Sequence, residues 1–161
     1  MARLFFDTNV LLDYALGREP GCSAFVEIVE LAEKDKHTLC TASTSIKDCF
    51  YVISSSLKAA NKSADGVLLE SVAQAASKIA WAQIENIMRI VQVVSVGHQE
   101  CMNARSYRSL HNDFEDNLVL AAARTAKADY LVTSDEKLIQ HAPLACLSPR
   151  DLLALIRPEQ F

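Results

Sequence analysis

Leu4-Phe5-Phe6-Asp7-Thr8-Asn9-Val10-Leu11-Leu12 is the stretch whose reading decides the fold. Leu4-Phe5-Phe6 is an uninterrupted apolar run, which predicts a short strand covered on both faces. Asp7-Thr8-Asn9 then supplies a helix start, and Val10, Leu11, Leu12 and Tyr14 continue an apolar helical face. The stretch from Gly17 to Gly21, with Pro20 inside it, ends that helix. A buried strand that runs straight into a helix is the opening of an α/β fold.

The same alternation repeats outward from this start. Ser23 offers a cap for a helix carrying Phe25, Ile28, Val29 and Ala32, and Thr38-Leu39-Cys40-Thr41-Ala42 reads as a second strand. Ser43-Thr44-Ser45 offers caps for a helix with Ile46, Phe50, Ile53 and Leu57 on one face. After the polar break Asn61-Lys62-Ser63, a helical region is expected from about Asp65 to Arg89, in one piece or bent into two. Ile90 to Val96 is rich in β-branched residues and reads as the third strand. Gly97 and His98 lead into a further helix through Cys101, Ala104 and Tyr107. Asn112-Asp113 opens another, Tyr130-Leu131-Val132-Thr133 reads as the fourth strand, and Leu144 to Leu147 as a short fifth. A closing helix follows near Pro149 to Ile156. Short apolar strands alternating with helices imply a parallel sheet covered on both faces.

Composition narrows the function classes. A chain of 161 residues suits a single domain spanning 1–161, and 50% apolar residues supply a full core. No apolar run approaches the roughly 20 residues of a membrane span, and no secretory leader is legible at the N-terminus. The expectation is a soluble, cytoplasmic protein without a membrane partner. Cys22, Cys40, Cys49, Cys101 and Cys146 are odd in number and irregular in spacing, a poor disulfide framework or zinc site, and read as small apolar residues. A net charge of −4 argues against holding nucleic acid by bulk positive charge. With only four glycines, the chain lacks a phosphate-cradling loop.

In an open parallel sheet, ligands bind outside the carboxyl ends of the strands. Asp7 directly follows the first strand, and Asp135 lies two positions after Thr133 at the end of the fourth. Asp48 falls in the first turn of the helix after the second strand. Asp113 and Asp116 open the helix before the fourth strand, with Glu115 between them. Each carboxylate also has a plain reading as a helix cap, and Asp48 stands three residues after Ser45 in the manner of a capping box. Their convergence on one sheet edge is what distinguishes the two readings. Clustered carboxylates repel one another unless a cation compensates. Oxygen ligands suit Mg²⁺ or Mn²⁺, and such ions activate water and offset charge in phosphodiester hydrolysis.

Three blocks resemble the PIN-domain nucleases, which include the VapC-like toxin ribonucleases: Leu4 to Asp13, Asp113-Phe114-Glu115-Asp116-Asn117-Leu118-Val119-Leu120-Ala121-Ala122-Ala123, and Ala128-Asp129-Tyr130-Leu131-Val132-Thr133-Ser134-Asp135. The resemblance implies a three-layer α/β/α sandwich with a central parallel sheet of four to five strands. It implies Mg²⁺- or Mn²⁺-dependent cleavage of RNA, with Asp7, Asp116 and Asp135 as metal ligands and Asp48 as a fourth catalytic acid. Asp48 departs from the commoner Glu and is one methylene shorter, which favours contact with a metal through water. A homodimer and a cognate antitoxin are implied as partners. Asn9, Asp113, Thr133 and Ser134 read as supporting residues for the acids, or equally as turn and cap chemistry. Lys47, Arg105 and Arg108 are candidates for RNA phosphates, against a solvated helix face. Asp13 reads as structural or solvated, and His98 and His111 as solvent or cap residues. Two other function classes stand beside the nuclease. One is a non-catalytic PIN-like module that binds RNA or protein. The other is a different metal-dependent phosphohydrolase, such as a haloacid-dehalogenase-like phosphatase, which Asn9 argues against because it stands where a second Asp is needed.

Overall fold

A computed structural model describes residues 1–63 and 66–157. Its elements run β1 (Arg3–Phe6), α1 (Thr8–Ala15), α2 (Gly21–Asp35), β2 (Thr38–Ala42), α3 (Ser43–Ala60), α4 (Glu70–Ile90), β3 (Gln92–Val94), α5 (His98–Ser106), a 3₁₀ turn (Tyr107–Ser109), α6 (Phe114–Thr125), β4 (Tyr130–Val132), α7 (Glu136–His141), β5 (Cys146–Leu147) and α8 (Pro149–Ile156). The five strands form one sheet in the order β3-β2-β1-β4-β5. Every pairing is parallel, with Phe5 beside Cys40 on one side and Leu131 on the other.

The period of two along β1 sorts its side chains between two cores. Leu4 and Phe6 join Leu11, Phe25, Ile28, Ile53 and Leu152, the core under α1–α4 and α8. Phe5 points to the opposite face and joins Ala104, Leu120, Ala121 and Leu138 from α5, α6 and α7. The molecule is therefore a three-layer α/β/α sandwich. Phe6 meets Phe25 edge-on at 5.1 Å, a favoured aromatic geometry. Each such fully buried aliphatic or phenyl side chain contributes about 1.5–3 kcal/mol.

Some starts and stops differ from the sequence reading. Helix α3 begins at Ser43, directly off β2, with Ala42 in the capping position and no side-chain cap. The expected caps are used across elements instead: Ser43 Oγ accepts from Val96 N, and Ser45 Oγ accepts from Thr8 Oγ1. This places Asp48 in the second turn, one turn deeper than expected. Helix α2 starts at Gly21 rather than after Ser23, and the Ser23 hydroxyl and amide both bind Glu19. The expected helix start at Asp65 lies outside the described residues. From Glu70 onward α4 is one unbroken helix, and its last turn takes Ile90 from the expected third strand. All five cysteines are free, with Cys40 and Cys49 buried. Among the described residues no helix is long and apolar enough to cross a membrane.

The chain lays β2 and β3 to one side of β1, then returns to place β4 and β5 on the other. The switch in direction falls between β1 and β4. In open α/β sheets the crevice outside the carboxyl ends of two such strands is where ligands bind.

Candidate active site

Asp7 leaves β1 at this crevice and caps α1, its Oδ1 accepting from Thr8 N at 2.7 Å. Its Oδ2 accepts from Thr133 Oγ1 at 2.6 Å and from Asn9 Nδ2 at 2.9 Å. Thr133, completely buried at the end of β4, also accepts from Asn9 Nδ2 and from Asp135 N through the same hydroxyl. Asn9 Oδ1 accepts from Ser134 N at 3.2 Å. Asn9, Thr133 and Ser134 thus tie the end of β1 to the end of β4. Burial, the largest influence, pushes the Asp7 carboxyl above its ordinary range. The hydrogen bonds from Thr133, Thr8 and Asn9 oppose it, and the Asp135 charge adds to the rise.

The capping reading and the cluster reading hold together, because each cap uses a single oxygen. Asp113 Oδ1 accepts from Glu115 N and Asp116 N, and Asp135 Oδ1 accepts from Lys137 N and Leu138 N. Asp116, on the first turn of α6, lies 3.2 Å through Oδ2 from His111 Nδ1. Ligand atoms of His111, Asp116 and Asp135 all fall within 4.8 Å of one another. The Asp116 carboxyl is pushed up to about 6, chiefly by burial and then by the charges of Asp7 and Asp113, with His111 pulling the other way.

Asp48 forms a second arm of the site. It pairs with Lys47 at 2.7 Å and hydrogen-bonds to Glu115. The Glu115 carboxyl rises to about 7 through burial and the neighbouring Asp48 charge. Asp7, Asp48, Glu115, Asp116 and Tyr51 line one cavity. His111, Asp116, Asp135, Lys137 and His141 line the next, and Asp113 and Asp116 border both. The result is a continuous acidic trough along the carboxyl edge of the sheet.

Residues 3–137 match the family model described as the PIN domain. The chain belongs to the PIN-domain family. Solved structures share the fold of this PIN domain at low identity. VapBC2 from Rickettsia felis, bound to a DNA fragment from its promoter, matches at TM-score 0.65 and 16% identity, covering 91% of this chain and 98% of that one. DNA-bound VapBC from Salmonella typhimurium matches at TM-score 0.64 and 15% identity, covering 92% and 99%. VapBC-1 from nontypeable Haemophilus influenzae matches at 0.59 and 14%, covering 92% and 98%. No curated protein matches the chain in sequence.

The residues of the PIN domain that the sequence singles out do not all meet. Asp7, Asp48, Asp113, Asp116 and Asp135 share the trough, with Lys47 beside Asp48. Arg105 lies in the last turn of α5 and Arg108 in the 3₁₀ turn, so they do not continue one helix face. Both are exposed and line neither acidic cavity. Two trough residues escape the sequence reading. The sequence reads His111 as a solvent or cap residue, and its Nδ1 does accept from Asp113 N at the start of α6, but it is half-buried and also faces Asp116 and Asp135. Glu115 had a signal, since three acids within four residues exceed what one helix cap requires. The donor set fits a divalent cation. Burial and mutual charge raise the carboxyls of both Asp7 and Asp116, so the acids there are incompletely compensated, and the nearby Lys47 is engaged by Asp48.

Proposed function

We propose that this single-domain PIN protein is a Mg²⁺- or Mn²⁺-dependent ribonuclease that hydrolyses RNA phosphodiester bonds. The convergence of Asp7, Asp116 and Asp135 at the switch between β1 and β4 is the observation that carries this reading. These three carboxylates, with His111 beside them, would hold the ion, and Asp48 with Glu115 would extend the site. When bound, a divalent ion acidifies water and offsets the charge that builds on the phosphate and leaving oxygen. Thr133 and Asn9 hold Asp7 in one rotamer, so its free lone pairs keep their direction. Burial and the neighbouring Asp48 charge hold the Glu115 carboxyl up at about 7. Lys137, which lines the trough, and Lys47 beside Asp48 would be cations for neighbouring phosphates.

The biological setting we infer is the toxin of a toxin–antitoxin pair, acting in the cytoplasm as a homodimer and restrained by a cognate antitoxin. Its support is the fold shared with chains of the VapBC complexes. The test is cleavage of single-stranded and structured RNA with Mg²⁺ or Mn²⁺, comparing wild type with Asp7→Asn and Asp116→Asn. Cleavage only by wild type, abolished by EDTA, is expected. Equal cleavage by all three proteins overturns the proposal. RNA binding without cleavage under any ion favours the non-catalytic module.

A further inference from the structure

A further cavity opens beside Ser134, at the carboxyl ends of β4 and β5. Its walls are Ala24, Pro149 and Leu153, and its polar groups include Asp13, Ser134 and Arg150. Apolar walls with a few convergent polar groups are the usual make-up of a small-molecule or base pocket. Asp13 is half-buried on α1, and among the described residues no hydrogen bond or ion pair reaches its carboxylate. Burial raises its carboxyl, with the Arg18 charge opposing the rise, and no protein hydrogen bond replaces the water its oxygens lose. Gly21 makes this arrangement possible, since a Cβ there would stand 2.5 Å from Asp13 Oδ2 and displace it. Arg150 is exposed at the first turn of α8 and has no ion-pair partner among the described residues. Ser134 connects the two sites: its amide is fixed by Asn9, and its chain neighbours are Thr133 and Asp135.

The geometry points to a guanine-binding pocket that seats a base of the RNA next to the cleaved phosphodiester. A carboxylate with two free oxygens accepts from two adjacent donors, and guanine alone among the four bases offers such a pair, N1–H and the 2-amino group. A guanidinium matches its O6 and N7. Proline, leucine and alanine side chains supply the faces against which an unstacked base rests. The inference rests on the ribonuclease reading only in taking RNA as the source of the base.

The test separates the two. Binding of 5′-GMP, AMP, CMP and UMP to wild type in EDTA is followed by amide shifts of Ala24, Ser134 and Leu153. GMP should bind roughly tenfold more tightly than the others, and inosine monophosphate, which lacks the 2-amino group, should lose most of that preference. Asp13→Asn should abolish it. Arg150→Gln, an exposed change that leaves the core intact, should weaken GMP several-fold. Equal binding of all four nucleotides, or GMP shifts confined to the acidic trough, overturns the pocket. GMP binding here with no RNA cleavage supports the pocket while removing the ribonuclease. RNA cleavage without preference for guanine at any position near the cut removes the pocket alone.

Discussion

Replacing Asp116 with Asn should stabilise the metal-free protein while abolishing its activity. The folded state raises the Asp116 carboxyl from its ordinary 3.8 to about 6. A raised acid is held protonated by the fold, so its ionised form is a burden that appears as pH climbs from about 4 to about 6 and is complete above that. At 1.36 kcal/mol per pH unit, the gap sets an upper bound of about 3 kcal/mol. Asp116 keeps part of its surface in solvent, and screening reduces this to about 1–2 kcal/mol. For a domain of this size the melting temperature should rise by about 2–8 °C at pH 7.5 in EDTA. At pH 4.5 the wild-type carboxyl is largely protonated in the folded state, so the gain should vanish. Thermal melts of both proteins at the two pH values read the effect directly. A variant no more stable than wild type at pH 7.5, or equally stabilised at both, would refute the claim that the cluster is short of positive charge.

Three further outcomes follow from the same geometry. Thr133→Val removes the donor 2.6 Å from Asp7 and should cost about 1.5–3 kcal/mol in urea unfolding, with Mn²⁺ affinity down about 10–100-fold; an unchanged Mn²⁺ midpoint in a calorimetric titration would count against Thr133 as the residue that aims Asp7. Mn²⁺ should bind more weakly at pH 5.5 than at pH 7.5, because Asp116, raised to about 6, must lose its proton to accept it, and equal midpoints would place the ion elsewhere. Ile28→Ala, in the core beneath α2 with no exposed surface, should cost about 2–5 kcal/mol with cleavage per folded molecule unchanged, as read from denaturant midpoints alongside initial rates.

The legible part of this protein is local. Leu4-Phe5-Phe6 lacks polar alternation because both its faces are covered, and the structure buries all three. Asp7, Asp113 and Asp135 stand before helix starts because a carboxylate satisfies the free amides there, and all three are observed caps. Asp48 was misplaced by a turn because Ser43 and Ser45 spend their hydroxyls on Val96 and Thr8, partners that local spacing does not reveal. His111 was missed for the same reason: its neighbours in the chain say nothing of Asp135.

By itself the sequence determined the parallel α/β class, the ends of most elements and the candidate acids. Apolar periodicity and capping act between residues a few positions apart, and both can be read along the chain. Only the tertiary structure decided that β1 pairs with β4 as well as β2, so that Thr133 hydrogen-bonds Asp7 across 126 positions of sequence. Strand order is set by which backbones exchange hydrogen bonds and which faces share a core, and neither leaves a signature in any one strand. The acids named from sequence became a site when β4 took its place beside β1.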